Sequence, residues 1–307
     1  MAADDARATL RRLLSPPRLR AIRHGLLLTA VLNLAWWLVL ALPIAGGFAW
    51  DTASYWGFPR DDLYAGTASA HGSGTYRYAP LFAQLLAPLS ALPFWAFSWL
   101  WFWLLAGTYL WLAGRWWLYG LAFLPVILEL SLGNIHLLMA AAVVVGFRHP
   151  AAWAFILLTK VTPGIGLLWF LVRREWRQLA VAVMATLLLV LVSAIADPGL
   201  WVQWLASLSQ TRPAGDFSIP IPLPVRLAAA AGLIIWAAPR DHRWALPVAV
   251  LLALPTLWVH GLSLLVAVLP LAGAPRWVPA LWRGPSRAPA PQALAPEPAR
   301  SGDALTS

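Results

Sequence analysis

The sequence predicts an all-α, polytopic membrane protein, and three observations carry that prediction. Of 307 residues, 61% are hydrophobic and only 11% are charged, against roughly 25% charged in a soluble domain. The mean hydropathy is +0.70. The apolar runs are nearly continuous, broken chiefly by clusters of arginine. Spans of about 20 residues consume length quickly, so one transmembrane domain over 24–282 is expected rather than several soluble ones.

The arginines set the orientation. They cluster at the N-terminus (Arg7, Arg11, Arg12, Arg18, Arg20, Arg23) and recur at Arg115, Arg148, Arg173, Arg174, Arg177, Arg240, Arg243 and Arg276. That distribution is the positive-inside pattern and assigns these loops to the cytoplasm. The formal charge of +10 therefore reports orientation toward an anionic inner leaflet, and no nucleic-acid partner is needed. Asp51, Asp61, Asp62, Asp197 and Asp216 fall in the intervening loops.

In chain order, residues 1–23 form a basic cytoplasmic segment, and 26–50 form the first span. A signal peptide would have a shorter apolar core and a small-residue cleavage site; this run is longer and ends in GGFAWD. A long first outer loop runs through Tyr78, residues 81–92 lie along or dip into the outer leaflet, and 94–114 return. Between Arg115 and Arg148 there is room for two crossings of about 15 residues meeting at Gly133 and Asn134. Between Arg148 and Arg173 only two arms of about ten residues fit, meeting at 160–163; each covers about 15 Å, half the hydrocarbon core. Broken arms are tolerated where the freed backbone lines a cavity or is buried in protein. The segments 178–196, 225–238, 244–258 and 262–274 complete about ten transmembrane or half-membrane helices, both termini inside, before a disordered Pro/Ala-rich tail over 283–307.

That topology gathers polar residues from distant parts of the chain on the outer side. Asp51 is the first acid after the first span, followed by Tyr55, His71, Tyr76, Arg77 and Tyr78. Glu129, Asn134 and His136 flank the first short-arm tip, Lys160 sits at the second, and His260 lies at the last outer turn. Lys160 is the only lysine of the chain; at that depth it either snorkels to the interface or meets a counter-charge or a ligand anion. Glu129 is protonated, paired with Lys160 or part of a proton relay. His24, His149 and His242 lie in arginine-rich loops and are solvated, whereas His136 and His260 are open to packing or substrate contact.

Several classes are excluded. Zero cysteines rule out disulfides, thiolate metal sites and cysteine nucleophiles. There is no phosphate-cradling GxxxxGK[ST] and no serine-nucleophile arrangement. No pair of histidines and acids has metal-ligand spacing, and Asp61 and Asp62 read as a hydrated loop. No metal and no cofactor are expected.

Five segments carry a resemblance. They are Asp51 with Tyr55, then YRYAPLFAQLLAPLSALP, LGNIHLLM, LTKVTPGIGLLWFLVRREWR and LPTLWVHGLSLLVAVLPL. In collinear order they resemble the GT-C superfamily of polytopic glycosyltransferases and, within it, the bacterial polyprenol-phosphate-mannose-dependent α-1,2-mannosyltransferases. The departures are Asn134 and His136, where that family tends to have Gln and Asn, and Val259 and Gly261 around His260, where an acid and a second histidine are common. The resemblance implies inverting transfer of a sugar, mannose foremost, from a polyprenyl phosphate to a lipid or glycan acceptor at the outer face of a bacterial-type plasma membrane. Such chemistry needs a base and groups that stabilise a leaving phosphate. Asp51 is the expected base, Arg77, Lys160 and His260 are the expected phosphate contacts, and Tyr55, Tyr76 and Tyr78 are expected against sugar or polyprenyl chain. The rivals are a transporter or lipid flippase with its site at the Lys160 break, and a noncatalytic lipid-binding protein.

Overall fold

The computed structural model describes residues 16–41, 49–56, 63–64, 76–208 and 218–272. The expectations for His71, for Asp61 and Asp62, for most of the first outer loop and for the 283–307 tail lie outside them. The described residues are helical, with one isolated bridge, Ser218 to Trp258, and no strand.

Helix α1 (Pro16–Trp36) opens with proline, whose missing N–H costs nothing at a helix start, and widens into a π turn at Trp37–Ala41. Asp51 then sits in the first turn of a separate short helix, α2 (Trp50–Trp56). The first span is thus shifted toward the N-terminus relative to the expected 26–50. After α3 (Pro80–Leu86), helix α4 (Phe94–Ala113) continues through short turns to Gly120.

The centre of the molecule is a chain of broken helices. Helix α5 (Leu124–Leu132) ends at Gly133, which adopts a left-handed φ of 76°, and α6 (His136–Gly146) departs at 110° to it. Glycine is required there twice over, because a Cβ would also collide with the Thr52 hydroxyl. The next arms are a 3-10 turn leading into α7 (Trp153–Thr159) and, after Lys160, a 3-10 stretch at Thr162–Leu167 leading into α8 (Leu168–Val172). The break at 160–163 falls where the sequence places it.

Helix α9 (Trp176–Ala196) turns Leu187, Leu188, Leu191, Val192 and Ile195 outward, as a lipid-facing helix would. Helix α10 (Pro198–Leu208) occupies a stretch expected to be loop. Helix α11 (Leu223–Ala237) packs against α12 (Ala245–Leu252), which stops short of Pro255. A 3-10 helix, His260–Ala267, packs against α5 and α6 and leads into a last short helical turn, Val268–Leu271.

Among the described residues, four helices are long and apolar enough to cross a membrane (Arg20–Val39, Phe94–Gly120, Trp176–Ala196, Leu223–Arg240), or five if the bent pair α5 and α6 counts as one. This identifies an integral membrane protein with four or five full spans beside shorter apolar helices, where about ten transmembrane or half-membrane helices are expected from the sequence. Residues 116–147 do not form two crossings: α5 has 9 residues and α6 has 11, so each covers only about 14 to 17 Å. Residues 244–258 likewise yield 8 helical residues, too few to span. Glycine and proline breaks, not the apolar run lengths, set the helix lengths.

Candidate active site

The site is built where the broken helices point their ends at one another. Ala49, in a left-handed conformation with φ 66°, donates its N–H to Ser131 O at 2.6 Å. The indole of Trp101 donates to Gly133 O at 2.7 Å, and the Thr52 hydroxyl reaches the same oxygen at 3.5 Å. The start of α2 is thereby fastened to the α5–α6 turn, although Thr52 and Gly133 stand 81 residues apart in the sequence.

This fastening sets Asp51 against the turn. Its Oδ2 accepts a hydrogen bond from Asn134 Nδ2 at 2.8 Å, while Asn134 Oδ1 accepts the N–H of Ile135 at 2.7 Å, which fixes the amide's orientation. His260 Nε2 lies 3.8 Å from the same carboxylate oxygen. The Asp51 side chain is 28% exposed, so it is reachable yet mostly desolvated. Burial raises its pKa to about 6 and outweighs the Asn134 hydrogen bond, which lowers it; the Glu129 charge raises it further, and the charges of Lys160 and Arg77 lower it. A carboxylate near neutrality is poised to take a proton.

Beneath Asp51, three side chains form a line. Glu129 Oε1 accepts the backbone N–H of His136 at 2.6 Å, Glu129 Oε2 lies 3.0 Å from His136 Nδ1, and His136 Nε2 lies 2.7 Å from Lys160 Nζ. Glu129 and His136 are fully buried; Lys160 is partly exposed. The His260 ring is 5.3 Å from that of His136 and stacks on Trp258, and its Nε2 has no hydrogen-bond partner among the described residues. Arg77 is exposed, and its charge reaches both Asp51 and Lys160.

The three predicted tyrosines are buried behind this surface. Tyr55 and Tyr78 share a hydroxyl–hydroxyl bond of 3.1 Å and pack with Phe82; Tyr55 also packs on Trp101. The Tyr76 hydroxyl donates to Ala79 O at 3.3 Å. All three are at most 9% exposed, so they form a packed aromatic wall that holds Asp51 forward. Burial raises the Tyr55 and Tyr78 pKa values well above the ordinary phenol range, and both stay neutral.

One partner escaped the sequence reading. Arg226, 4% exposed, donates to four backbone carbonyls: Nε to Ile221 at 2.8 Å, Nη1 to Leu252 at 2.9 Å and Leu254 at 2.6 Å, and Nη2 to Pro255 at 3.0 Å. Its cation sits on the C-terminal carbonyls of α12, where the helix dipole favours positive charge. Thr162 Oγ1 donates to Ala253 O at 2.6 Å. The turn leading to Trp258 and His260 is thus clamped from two sides, one of them the Lys160 arm. A lone arginine at the mouth of the 225–238 apolar run was the available signal.

Glu129, His136 and His260 offer ligand atoms within 4.8 Å of one another, a proximity that sequence spacing did not suggest. These are donors of the right kind for a divalent cation. The Lys160 ammonium beside His136, and the hydrogen bonds already engaging both Glu129 oxygens, fit a hydrogen-bonded relay better than a cation.

With this geometry in view, the comparison with known families is decisive. The family model for glycosyltransferase family 87 matches residues 76–295, more than two thirds of the chain. The chain belongs to glycosyltransferase family 87. Membership brings glycosyltransferase chemistry, with a sugar donor and an acceptor as substrates. The match takes in Arg77, Glu129, Asn134, His136, Lys160 and His260, and begins after Asp51 and Tyr55. No curated protein and no solved structure matches the chain.

Proposed function

We propose that this family 87 member is an inverting transferase that moves a hexosyl group, mannose foremost, from a polyprenyl phosphate to a lipid or glycan acceptor. Transfer takes place at the outer face of a plasma membrane, with both termini cytoplasmic. The observation that supports this reading is a mostly buried but reachable carboxylate, its pKa raised to about 6, beside a set of cationic and imidazole groups.

In the reaction, Asp51 accepts the proton of the acceptor hydroxyl, whose oxygen forms the new bond to the anomeric carbon. The anomeric carbon–oxygen bond to the phosphate breaks on the opposite face, and its electron pair remains on the phosphate. The polyprenyl phosphate leaves with one more negative charge than it had as a diester. Lys160, Arg77 and His260 stabilise that charge: ammonium and guanidinium directly, and the imidazole by its unpartnered Nε2, as a donor when protonated there. Anomeric configuration inverts, and no enzyme-bound glycosyl intermediate forms. Neither metal nor cofactor has a step in this scheme. The rival transporter reading shares the broken helix at Lys160, and family membership favours the transferase.

The test is transfer from a labelled polyprenyl-phosphate sugar in membranes carrying the chain or its D51N variant. Loss of transfer in D51N with an unchanged melting temperature is expected. Unchanged transfer would remove Asp51 as the base.

A further inference from the structure

We propose that Glu129 and His136 are positioning residues that keep Lys160 protonated and aim its ammonium into the site. The inference rests on the reading of Lys160 as a phosphate contact, and deepens it. The hydrogen-bond geometry assigns the protons. The backbone N–H of His136 can only donate, so Glu129 Oε1 accepts. That N–H is at the start of the 11-residue helix α6, where the helix dipole favours an anion, so Glu129 is the carboxylate. Glu129 Oε2 then accepts from His136 Nδ1–H, which leaves His136 Nε2 with a lone pair. Among the described residues the group on that lone pair is Lys160 Nζ, at 2.7 Å, so the ammonium donates to it.

The triad is neutral in sum, anion at one end and cation at the other, which is how an ammonium is retained in a largely dry setting. One of its three N–H bonds is spent on His136, and the others are left for a ligand. The bend at Gly133 makes the arrangement possible. It folds Glu129, seven residues earlier, back onto the first turn of α6. Gly261 packs on the other side of the imidazole: a Cβ there would touch His136 Nε2 at an ordinary 3.5 Å and press on Leu254 Cδ1 at 3.2 Å. Burial works against the charged amine; the charges of Glu129 and Asp51 hold its proton against that cost, and Arg77 opposes them, while His136 and His260 complete its surroundings.

Two measurements test this on the full chain in detergent. The first uses Lys160 as the only lysine: labelling by an amine-reactive reagent, followed by mass analysis of its peptide, reports that amine alone across pH. In E129Q the labelling profile moves to lower pH by about one unit, the loss of one close charge, and in H136Q it moves in the same direction by less. The second is a double-mutant cycle on transfer, with a melting curve for each variant. H136Q loses about ten-fold in kcat/KM, the equivalent of one charge-assisted hydrogen bond, and K160M loses more. The pair H136Q/K160M is no worse than K160M, because His136 acts through the missing amine.

Unchanged labelling profiles in both E129Q and H136Q would overturn the proposal, as would losses that multiply in the double variant. Should either single variant fail to fold, the other carries the labelling test. If the profile shifts in E129Q while K160M transfers normally, the triad is supported and the phosphate role of Lys160 falls.

Discussion

The hydrogen bond from Asn134 to Asp51 makes a quantitative prediction. Asn134 Nδ2 donates to the carboxylate at 2.8 Å, and this bond is stronger to the charged form than to the neutral acid. Removing it in N134A therefore raises the Asp51 pKa. A hydrogen bond to a charged group contributes about 1.5 to 3 kcal/mol, and one pKa unit corresponds to about 1.4 kcal/mol. With water replacing part of the lost bond at a side chain 28% exposed, a rise of about one unit is expected, from about 6 to about 7. The ionised fraction at pH 6 then falls from about one half to about one tenth, whereas at pH 8 it stays above about nine tenths. The assay is kcat/KM for transfer from a labelled polyprenyl-phosphate sugar between pH 5 and 8. The unmodified enzyme loses activity as pH falls through about 6, and in N134A the same acid limb moves up by about one unit. A melting curve separates this from loss of the amide's second role at the Ile135 N–H. Profiles that are parallel and differ only in height would refute the reasoning, as would an acid limb below pH 5 in the unmodified enzyme.

Further predictions follow from the scaffold. G133A forces a side chain into a φ of 76° and onto the Thr52 hydroxyl, so it costs about 2 kcal/mol or more of stability and abolishes transfer; melting and activity read both. R226K replaces a fork serving four carbonyls with a single ammonium, leaving at least one buried acceptor unpaired at about 1 to 3 kcal/mol; a lowered melting temperature with a raised donor KM is expected. R77Q removes an exposed charge near the site, so donor KM rises several-fold, and its dependence on ionic strength, measured between low and physiological salt, weakens.

Much of the architecture was legible because membrane segments are read from composition and charge. The return span at Phe94, the lipid-facing helix at 176–196 and the break at Lys160 all fall where apolar runs, arginines and Pro-Gly punctuation put them. The residues around Asp51 were legible as a set, since polar side chains in so apolar a chain are few. Their partnerships were not. That Glu129 bonds His136 depends on a 110° bend at one glycine, and hydropathy carries no angle. Arg226 was passed over because an arginine at the edge of an apolar run reads as interfacial. Its four carbonyl acceptors are backbone atoms, and no residue identity announces them.

The departures at the α5–α6 turn gain a physical meaning from this geometry. A Gln and an Asn at positions 134 and 136 would offer neutral amides to both neighbours. Here Asn134 serves Asp51, and His136, with one donor and one acceptor on opposite sides of a rigid ring, joins an anion to a cation. An asparagine at 136 is too short to span from Glu129 to Lys160 in the same way, so the histidine goes with Glu129 as a pair. It follows that H136N should be rescued poorly by any change at Lys160 alone. Recovery of transfer in H136N carrying K160R, whose longer fork could reach Glu129 directly, would show instead that a direct ion pair suffices, and that the intervening imidazole only fills the distance.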